Sequence, residues 1–103
     1  MVIVVAHARV KPEAREAAIA AASKMRDASI AEPGCQEYNF WFAFDDEHEL
    51  LVFERWDDQA ALDAHFATPH LAEFAAAIPE WVDGAPAITR YEVDDESAGP
   101  LGG

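Results

Sequence analysis

The chain has 103 residues, of which 51% are hydrophobic and 11% aromatic, so it has the length of one domain and too much apolar content for a disordered chain. Seven Lys and Arg residues against 20 Asp and Glu residues give a net charge of −13, which disfavours nucleic acid and anionic membranes as partners. No apolar run approaches the ~20 residues of a membrane span, no basic-then-apolar leader opens the chain, and Cys35 is the single cysteine, so we expect a cytoplasmic protein.

The first third of the chain predicts a strand followed by a helix. Met1–Val10 begins with β-branched residues and is almost wholly apolar, which indicates a strand covered on both faces. Pro12 suits the first position of a helix, and the helix formers after it extend that helix to about Ala31. Glu32-Pro33-Gly34 then ends the helix and turns the chain.

The middle of the chain predicts a hairpin of two strands. Cys35–Phe44 alternates with period two, so one side of the first strand is aromatic. The aromatic side carries Tyr38, Phe40, Phe42 and Phe44, and the other side carries Glu37, Asn39 and Trp41. An acidic turn, Asp45–Glu49, leads into the second strand, Leu50–Trp56.

Two short helices are predicted next, each with a cap at its start. One residue of the pair Asp57-Asp58 caps a helix that runs to about Ala67. Thr68-Pro69 starts a second helix by the same logic, and Pro79 and Gly84 end it.

The order of the predicted elements defines a fold class. Pro86–Val93 is the last strand, and residues 95–103 form a Gly-rich tail that we expect to be mobile, which leaves one domain over residues 1–94. The order β-α-β-β-α-β predicts an α+β, ferredoxin-like fold, in which a four-stranded antiparallel sheet carries its helices on one face.

The sheet face without helices predicts the oligomeric state. The first two strands are apolar or aromatic on both faces, which exceeds what a soluble monomer normally exposes. We therefore predict a homodimer in which two sheets pack against each other by two-fold symmetry.

Three segments in this order resemble the antibiotic biosynthesis monooxygenase (ABM) superfamily. They are Glu32-Pro33-Gly34-Cys35 followed by Tyr38, Phe53-Glu54-Arg55-Trp56, and the run from Leu62 to His70, LDAHFATPH. The resemblance covers residues 1–94 and implies a dimeric α+β barrel with a ligand cavity between each sheet and its helices. Characterised members of this family oxygenate phenolic or quinol-type substrates without metal or flavin, and relatives bind and degrade haem.

Oxygenation without a cofactor has definite physical requirements, because triplet dioxygen reacts slowly with closed-shell molecules. The protein must supply a base with a pKa near the ambient pH, a dry apolar pocket, and hydrogen bonds that hold the substrate anion. We therefore predict a monooxygenase that oxidises a hydroquinone or a polycyclic phenol with O2, with histidine as general base. Two alternatives remain: a non-catalytic ligand-binding or stress-associated dimer, and a muconolactone-type isomerase that uses the same histidine as a proton shuttle.

His65 is the first candidate for the base. Helical spacing places it beside Leu62 and Phe66 on the face that must look at the sheet. A polar side chain there either lines a cavity, with its two apolar neighbours as substrate contacts, or is a core histidine with satisfied hydrogen bonds.

The other histidines are weaker candidates. If Ile3, Val5 and His7 face the helices, His7 looks into the same cavity; otherwise it is a core histidine bonded to a backbone carbonyl. His70 lies in the first turn of the short helix, where it caps the helix or is solvated, and His48 in the acidic turn belongs to the surface.

Four further side chains complete the predicted site. The family places an aromatic residue at the pocket edge where this chain has Trp56, although a core aromatic is the alternative. Asn39 and Trp41 share one face of their strand, so Asn39 is a candidate to hydrogen-bond a substrate oxygen. Phe74 points inward from the short helix as an apolar substrate contact.

No cofactor or metal is predicted. His65 and His70 are five positions apart, whereas two metal ligands on one helical face are four apart. No Gly-rich phosphate loop is present to hold a flavin or nicotinamide. Haem-degrading relatives use an Asn on the first strand and a Trp on the second helix, where this chain carries His7 and His65.

Overall fold

The computed structural model describes residues 1–97 and 99–100, which form one four-stranded sheet covered by helices. The elements in chain order are β1 (Val2–Val10), a 3-10 turn (Pro12–Ala14), α1 (Arg15–Ile30), β2 (Cys35–Ala43), β3 (Asp46–Trp56), α2 (Gln59–Phe66), α3 (Pro69–Trp81) and β4 (Val82–Glu92). All strand pairs are antiparallel, in the order β2-β3-β1-β4. The predicted ferredoxin-like α+β fold is therefore confirmed. Among the described residues, no helix has both the length and the apolar character that crossing a membrane requires.

The hairpin between β2 and β3 is tighter than the sequence predicts. The prediction of a five-residue acidic turn is wrong, because the turn consists of Phe44 and Asp45 and β3 begins at Asp46. The carboxylate of Asp46 accepts a hydrogen bond from Arg9 on the neighbouring β1 at 2.7 Å. This pairing neutralises an acidic side chain within the ladder, so the strand continues through residues whose composition favours a turn.

The junction of α3 and β4 also differs from the prediction. Pro79 lies inside α3, two residues before its end, so its missing N–H removes one bond of the last turn without ending the helix. β4 then begins at Val82, four residues before the predicted start, because Val82 pairs with Val10 and is buried. Gly84 does not end the helix but lies within β4, where its φ of +81° suits glycine beside the irregular β1–β4 register.

All three helices pack on one face of the sheet. The even-numbered residues of β1, Val2 and Val4 among them, point to this face and contact Met25 of α1, Trp56 of β3 and Leu62 of α2. Caps set the starts of the two short helices: Asp58 accepts from the amide of Ala61, and Thr68 accepts from that of Leu71.

The opposite face, called the open face below, carries no helix. It presents apolar side chains from three strands of the sheet, and two aromatic ones, Trp41 and Tyr91, are about half exposed. Ile3 and Val5 belong to the same face, since they alternate with the buried Val2 and Val4. The open face is the surface on which the homodimer prediction depends.

The predicted mobile tail, residues 95–103, lies partly outside the described residues, which omit position 98 and positions 101–103. Within the described part of that segment, the carboxylate of Glu96 accepts a hydrogen bond from the Arg55 guanidinium at 2.5 Å. The domain boundary at residue 94 stays a prediction.

Candidate active site

A cavity of about 270 Å³ lies between the helix-covered face of the sheet and the helices α2 and α3. Its walls are apolar, and they include Val52 of β3 with Phe74 and Ile78 of α3. Three ionisable side chains from the helix-covered side also line it: Tyr38, Glu54 and His65. An apolar chamber with a few polar groups is the usual form of a small-molecule site.

His65 is held at the end of α2 by aromatic packing and one short hydrogen bond. Its side chain is only 1% exposed, and its ring centroid lies 4.7 Å from that of Trp56 and 5.5 Å from that of Tyr38. Nδ1 lies 2.6 Å from Oε2 of Glu32. Because an ionised carboxylate only accepts hydrogen bonds, this contact places the proton on Nδ1 and leaves the lone pair on Nε2.

The acid–base properties of His65 follow from this environment. Burial lowers the pKa of His65 below its ordinary value of 6.5, although the hydrogen bond and the charge of Glu32 act in the opposite direction. A histidine of this kind is neutral at physiological pH and is therefore available as a base.

Glu32 also binds a second histidine, which the sequence did not reveal. Nε2 of His70 lies 2.8 Å from the same oxygen, Oε2, that contacts His65. The two histidines come together because the chain bends at Ala67 and Thr68 and starts a new helix, so the spacing along one continuous helix does not apply. In the sequence, Glu32 has the pattern of a turn residue; its place in the family-like Glu32-Pro33-Gly34-Cys35 segment is the signal that could identify it.

The five-position spacing of His65 and His70 argues against a metal site only if both lie on one continuous helix. The bend between α2 and α3 means that they do not. In the part of the chain that the structure describes, one group with suitable ligand atoms is Glu32, His65 and His70, whose atoms all lie within 4.8 Å of one another. Two imidazoles and a carboxylate are a ligand set suited to a divalent transition metal. Here one ring nitrogen of each histidine forms a hydrogen bond with the same carboxylate oxygen, Oε2 of Glu32.

Glu54 is a buried acidic group that lines the cavity. It is 8% exposed, lies directly opposite Tyr38 in the β2–β3 register, and accepts a hydrogen bond from Nε1 of Trp56 at 3.0 Å. The pKa of Glu54 is raised to about 7, mainly because the carboxyl is buried, and the charge of Glu32 adds to the increase. The hydrogen bonds from Trp56 and Tyr38 lower the pKa, but by less. Burial likewise raises the pKa of Tyr38 far above its ordinary value, so the phenol stays neutral.

The predicted residues on the helix-covered side reach the cavity to different degrees. Trp56 is fully buried between His65 and Glu54, and Leu62 is buried in the core without lining the cavity. Phe74 lines the cavity wall, and Phe66 lies at its rim with 58% of its surface exposed. Of the apolar contacts predicted for the substrate, Phe66 and Phe74 are thus the two that line the cavity.

The structure does not bring the other three predicted residues to His65. His7 does not face the helices, because the even-numbered residues of β1 occupy that side of the strand. It borders the cavity, but its imidazole lies 3.7 Å from Glu49 and is 57% exposed. Asn39 accepts a hydrogen bond from Arg26 at a separate hollow of about 220 Å³ between α1 and β2. Trp41 lies on the open face.

The fold and cavity define an α+β protein of the ferredoxin-like class with a small-molecule chamber between sheet and helices. The family model described as "Antibiotic biosynthesis monooxygenase" matches residues 1–77. The chain belongs to this family, which confirms the resemblance seen in the sequence.

Individual relatives agree with the family assignment. The chain is 34% identical over 92 residues to "Uncharacterized protein sll1783" of Synechocystis, a match that covers 89% of this chain and 63% of that protein. It is 30% identical to "Putative monooxygenase YcnE" of Bacillus subtilis, over 92% of this chain and all of that one. The solved structure of Rv0793 from Mycobacterium tuberculosis is 33% identical and superposes with a TM-score of 0.87, covering 94% of this chain and 98% of that chain.

Proposed function

We propose that this protein is a monooxygenase that needs no cofactor and oxidises a hydroquinone or a polycyclic phenol with O2, with His65 as general base. The observation that carries the proposal is the hydrogen bond of Glu32 to His65, a buried histidine that lines an apolar cavity. The family membership and the names of the relatives support an oxidoreductase that uses oxygen.

The Glu32–His65 contact supports the base. Glu32 fixes the tautomer, so Nε2 of His65 takes the proton from the substrate hydroxyl and the carboxylate stabilises the imidazolium that forms. The resulting phenolate is electron-rich enough to pass one electron to O2. Recombination of the two radicals within the cavity forms a carbon–oxygen bond and gives a peroxide.

The cavity supports an aromatic substrate. Its apolar walls exclude water, which protects the radical pair and strengthens the hydrogen bonds that hold the anion. The volume of about 270 Å³ lies just below the usual range for small-molecule sites, roughly 300–1,000 Å³. This size favours the hydroquinone, or a phenol of one or two rings, over a larger polycyclic substrate.

We also propose that the protein works as a homodimer in the cytoplasm. The apolar open face, with Trp41 and Tyr91 half exposed, supports the packing of a second copy sheet to sheet. The single cysteine, Cys35, has no partner for an intrachain disulfide and fits a reducing compartment.

An oxygen electrode tests the proposed reaction. Wild-type protein is mixed with a panel of hydroquinones and phenols, and O2 uptake is compared with the amount of oxygenated product. Uptake in a one-to-one ratio with product supports the monooxygenase. Conversion of a substrate without O2 uptake would instead support an isomerase, and binding without turnover would support a ligand-binding protein.

A further inference from the structure

We propose that Glu54 is the second proton-transfer group of the cavity: as a neutral carboxylic acid, it protonates the oxygen that leaves as water when the peroxide breaks down. This inference rests on the proposed oxygenation and adds the acid that the second half of that reaction needs. It assigns chemistry to a buried group that the base mechanism leaves unused.

The geometry places Glu54 on the correct side of the sheet. Glu54 lies on the helix-covered face of β3, lines the cavity and is 8% exposed. Trp56 joins it to the base, because the indole ring lies against the His65 imidazole and its Nε1 donates to Glu54. Acid and base thus flank one indole at the same chamber.

The surroundings of Glu54 hold few groups that would stabilise its anion. Tyr38 of β2 and Glu32 of the turn before it act on the carboxyl, while the pKa of the Cys35 thiol is raised by burial and further by the charge of this carboxyl. From α2, the neutral His65 lies beyond Trp56. Its partner on β1 is the apolar Val4, and α1 contributes Met25 to the same cluster.

Two arginines occupy neighbouring positions of the sheet, but the guanidinium of each is bound to a residue other than Glu54. Arg90 of β4 pairs with Val4 on the same face, but its guanidinium is 42% exposed and donates to Gln59. Arg55, the next residue along β3, faces the opposite side and binds Glu96. A carboxyl placed among apolar walls, with another carboxylate nearby and no cation paired to it, favours its neutral form.

This state suits an acid at neutral pH. The pKa of Glu54, about 7, lies close to physiological pH, where a general acid is most effective. His65 has a lowered pKa and Glu54 a raised one, and a pair shifted in opposite directions is the arrangement that separates a base from an acid.

The step balances in atoms and electrons. The imidazolium of His65 first gives its proton to the peroxide anion, which forms the hydroperoxide and makes His65 basic again. His65 then removes the proton from the carbon that bears the new oxygen, and the electron pair of that C–H bond forms a C=O bond. The O–O bond breaks, and the departing hydroxide takes the proton of Glu54 and leaves as water. A hydroquinone and O2 then give a hydroxyquinone and water, and His65 returns its proton to Glu54 through solvent.

Removal of the acid changes the products, which provides the test. Glu54→Gln keeps an oxygen that accepts from Trp56 but has no acidic proton. With a hydroquinone and O2, this variant should lower hydroxyquinone formation by about 10²-fold and release H2O2 with the simple quinone, because the peroxide is eliminated without O–O cleavage. Glu73→Gln, which removes an exposed carboxyl paired with Lys24, is the matched control and should behave as wild type.

Infrared spectroscopy measures the protonation of Glu54 without any substrate. The wild-type protein should show a carboxylic acid C=O band that disappears as the pH rises through about 7, and Glu54→Gln should lack that band. If Glu54→Gln fails to fold by circular dichroism, Glu54→Asp replaces it. This variant keeps an acid but withdraws it by one methylene, so it should retain a titrating band and release more H2O2 than the wild-type protein.

The outcomes separate this inference from the proposed function. If the wild-type protein is active and Glu54→Gln forms hydroxyquinone at the same rate, the role of Glu54 is overturned and the oxygenation stands. An infrared band that is unchanged by the substitution would do the same, since it would show Glu54 to be ionised. Wild-type protein that takes up no O2 with any hydroquinone would overturn the oxygenation, and the acid step with it.

Discussion

Nδ1 of His65 and Oε2 of Glu32 lie 2.6 Å apart, although the two residues are 33 positions apart in the chain. A carboxylate fixed on one nitrogen of a buried imidazole determines which nitrogen acts as the base. This contact connects the turn after α1 with the end of α2, so the proposed base depends on residues from two separate elements.

The first prediction tests the base itself. His65→Gln retains a donor for Glu32 but has no basic nitrogen, so turnover of a hydroquinone should fall by ~10²–10⁴-fold. The wild-type rate should rise with pH through an apparent pKa below 6.5, because burial lowers the pKa of His65, and this rise should vanish in the variant. His48→Gln serves as control, since His48 is remote from Glu32. A folded His65→Gln variant with full activity would remove His65 from the chemistry.

The second prediction tests Glu32 as a positioning residue. The charge and hydrogen bond of Glu32 raise the pKa of His65, so Glu32→Gln should lower that pKa further and move the rising limb of the pH–rate profile to lower pH. The rate should also fall, because the proton is no longer confined to Nδ1. Histidine NMR titration measures the shift directly. An unchanged His65 titration in a folded variant would contradict the contact.

The third prediction concerns His70, the other donor to Glu32. His70→Ala removes this hydrogen bond and leaves the Glu32–His65 contact in place, so the rate should change by less than the ~10²-fold expected for loss of the base. Steady-state kinetics of the two histidine variants under the same conditions provide the comparison. Equal losses in both would show that His70 takes part in proton transfer.

Sequence patterns predicted the elements of the fold well, because period-two alternation and helix caps are local signals. They placed Leu62, His65 and Phe66 on one helix, but could not reveal Glu32, whose contact with His65 depends on packing between distant segments. β1 is apolar on both faces, so its periodicity does not show which face meets the helices, and His7 was assigned to the cavity on that undetermined condition. The sequence predicts His70 as a helix cap or a solvated side chain, because the bend before α3, which brings it to Glu32, has no signal in the helical spacing.

The fourth prediction tests the homodimer. Light scattering should give about twice the chain mass of 11.3 kDa, since a sheet-to-sheet contact would cover the open face. Trp41→Glu places a charge on that face and should shift the protein towards monomer. Ile30→Glu replaces a partly exposed apolar residue of α1, on the helix side, and should leave the dimer intact. A wild-type monomer at concentrations used for activity would contradict the proposal.

The last prediction links Glu54 to stability. The folded-state pKa of Glu54, about 7, lies above its ordinary value of 4.5. Protonation of Glu54 therefore adds to the free energy of unfolding, fully below pH 4.5, and this added stability is lost as the pH rises through about 7. Relative to Glu54→Gln, wild-type protein should therefore lose about 3 kcal/mol of unfolding free energy between about pH 4.5 and about pH 8, from 1.36 kcal/mol per pKa unit. Urea unfolding at several pH values measures this difference. The opposing titration of His65 occurs in both proteins and therefore cancels in the comparison. A pH-independent difference between Glu54→Gln and the wild-type protein would mean that Glu54 titrates as an ordinary carboxylate.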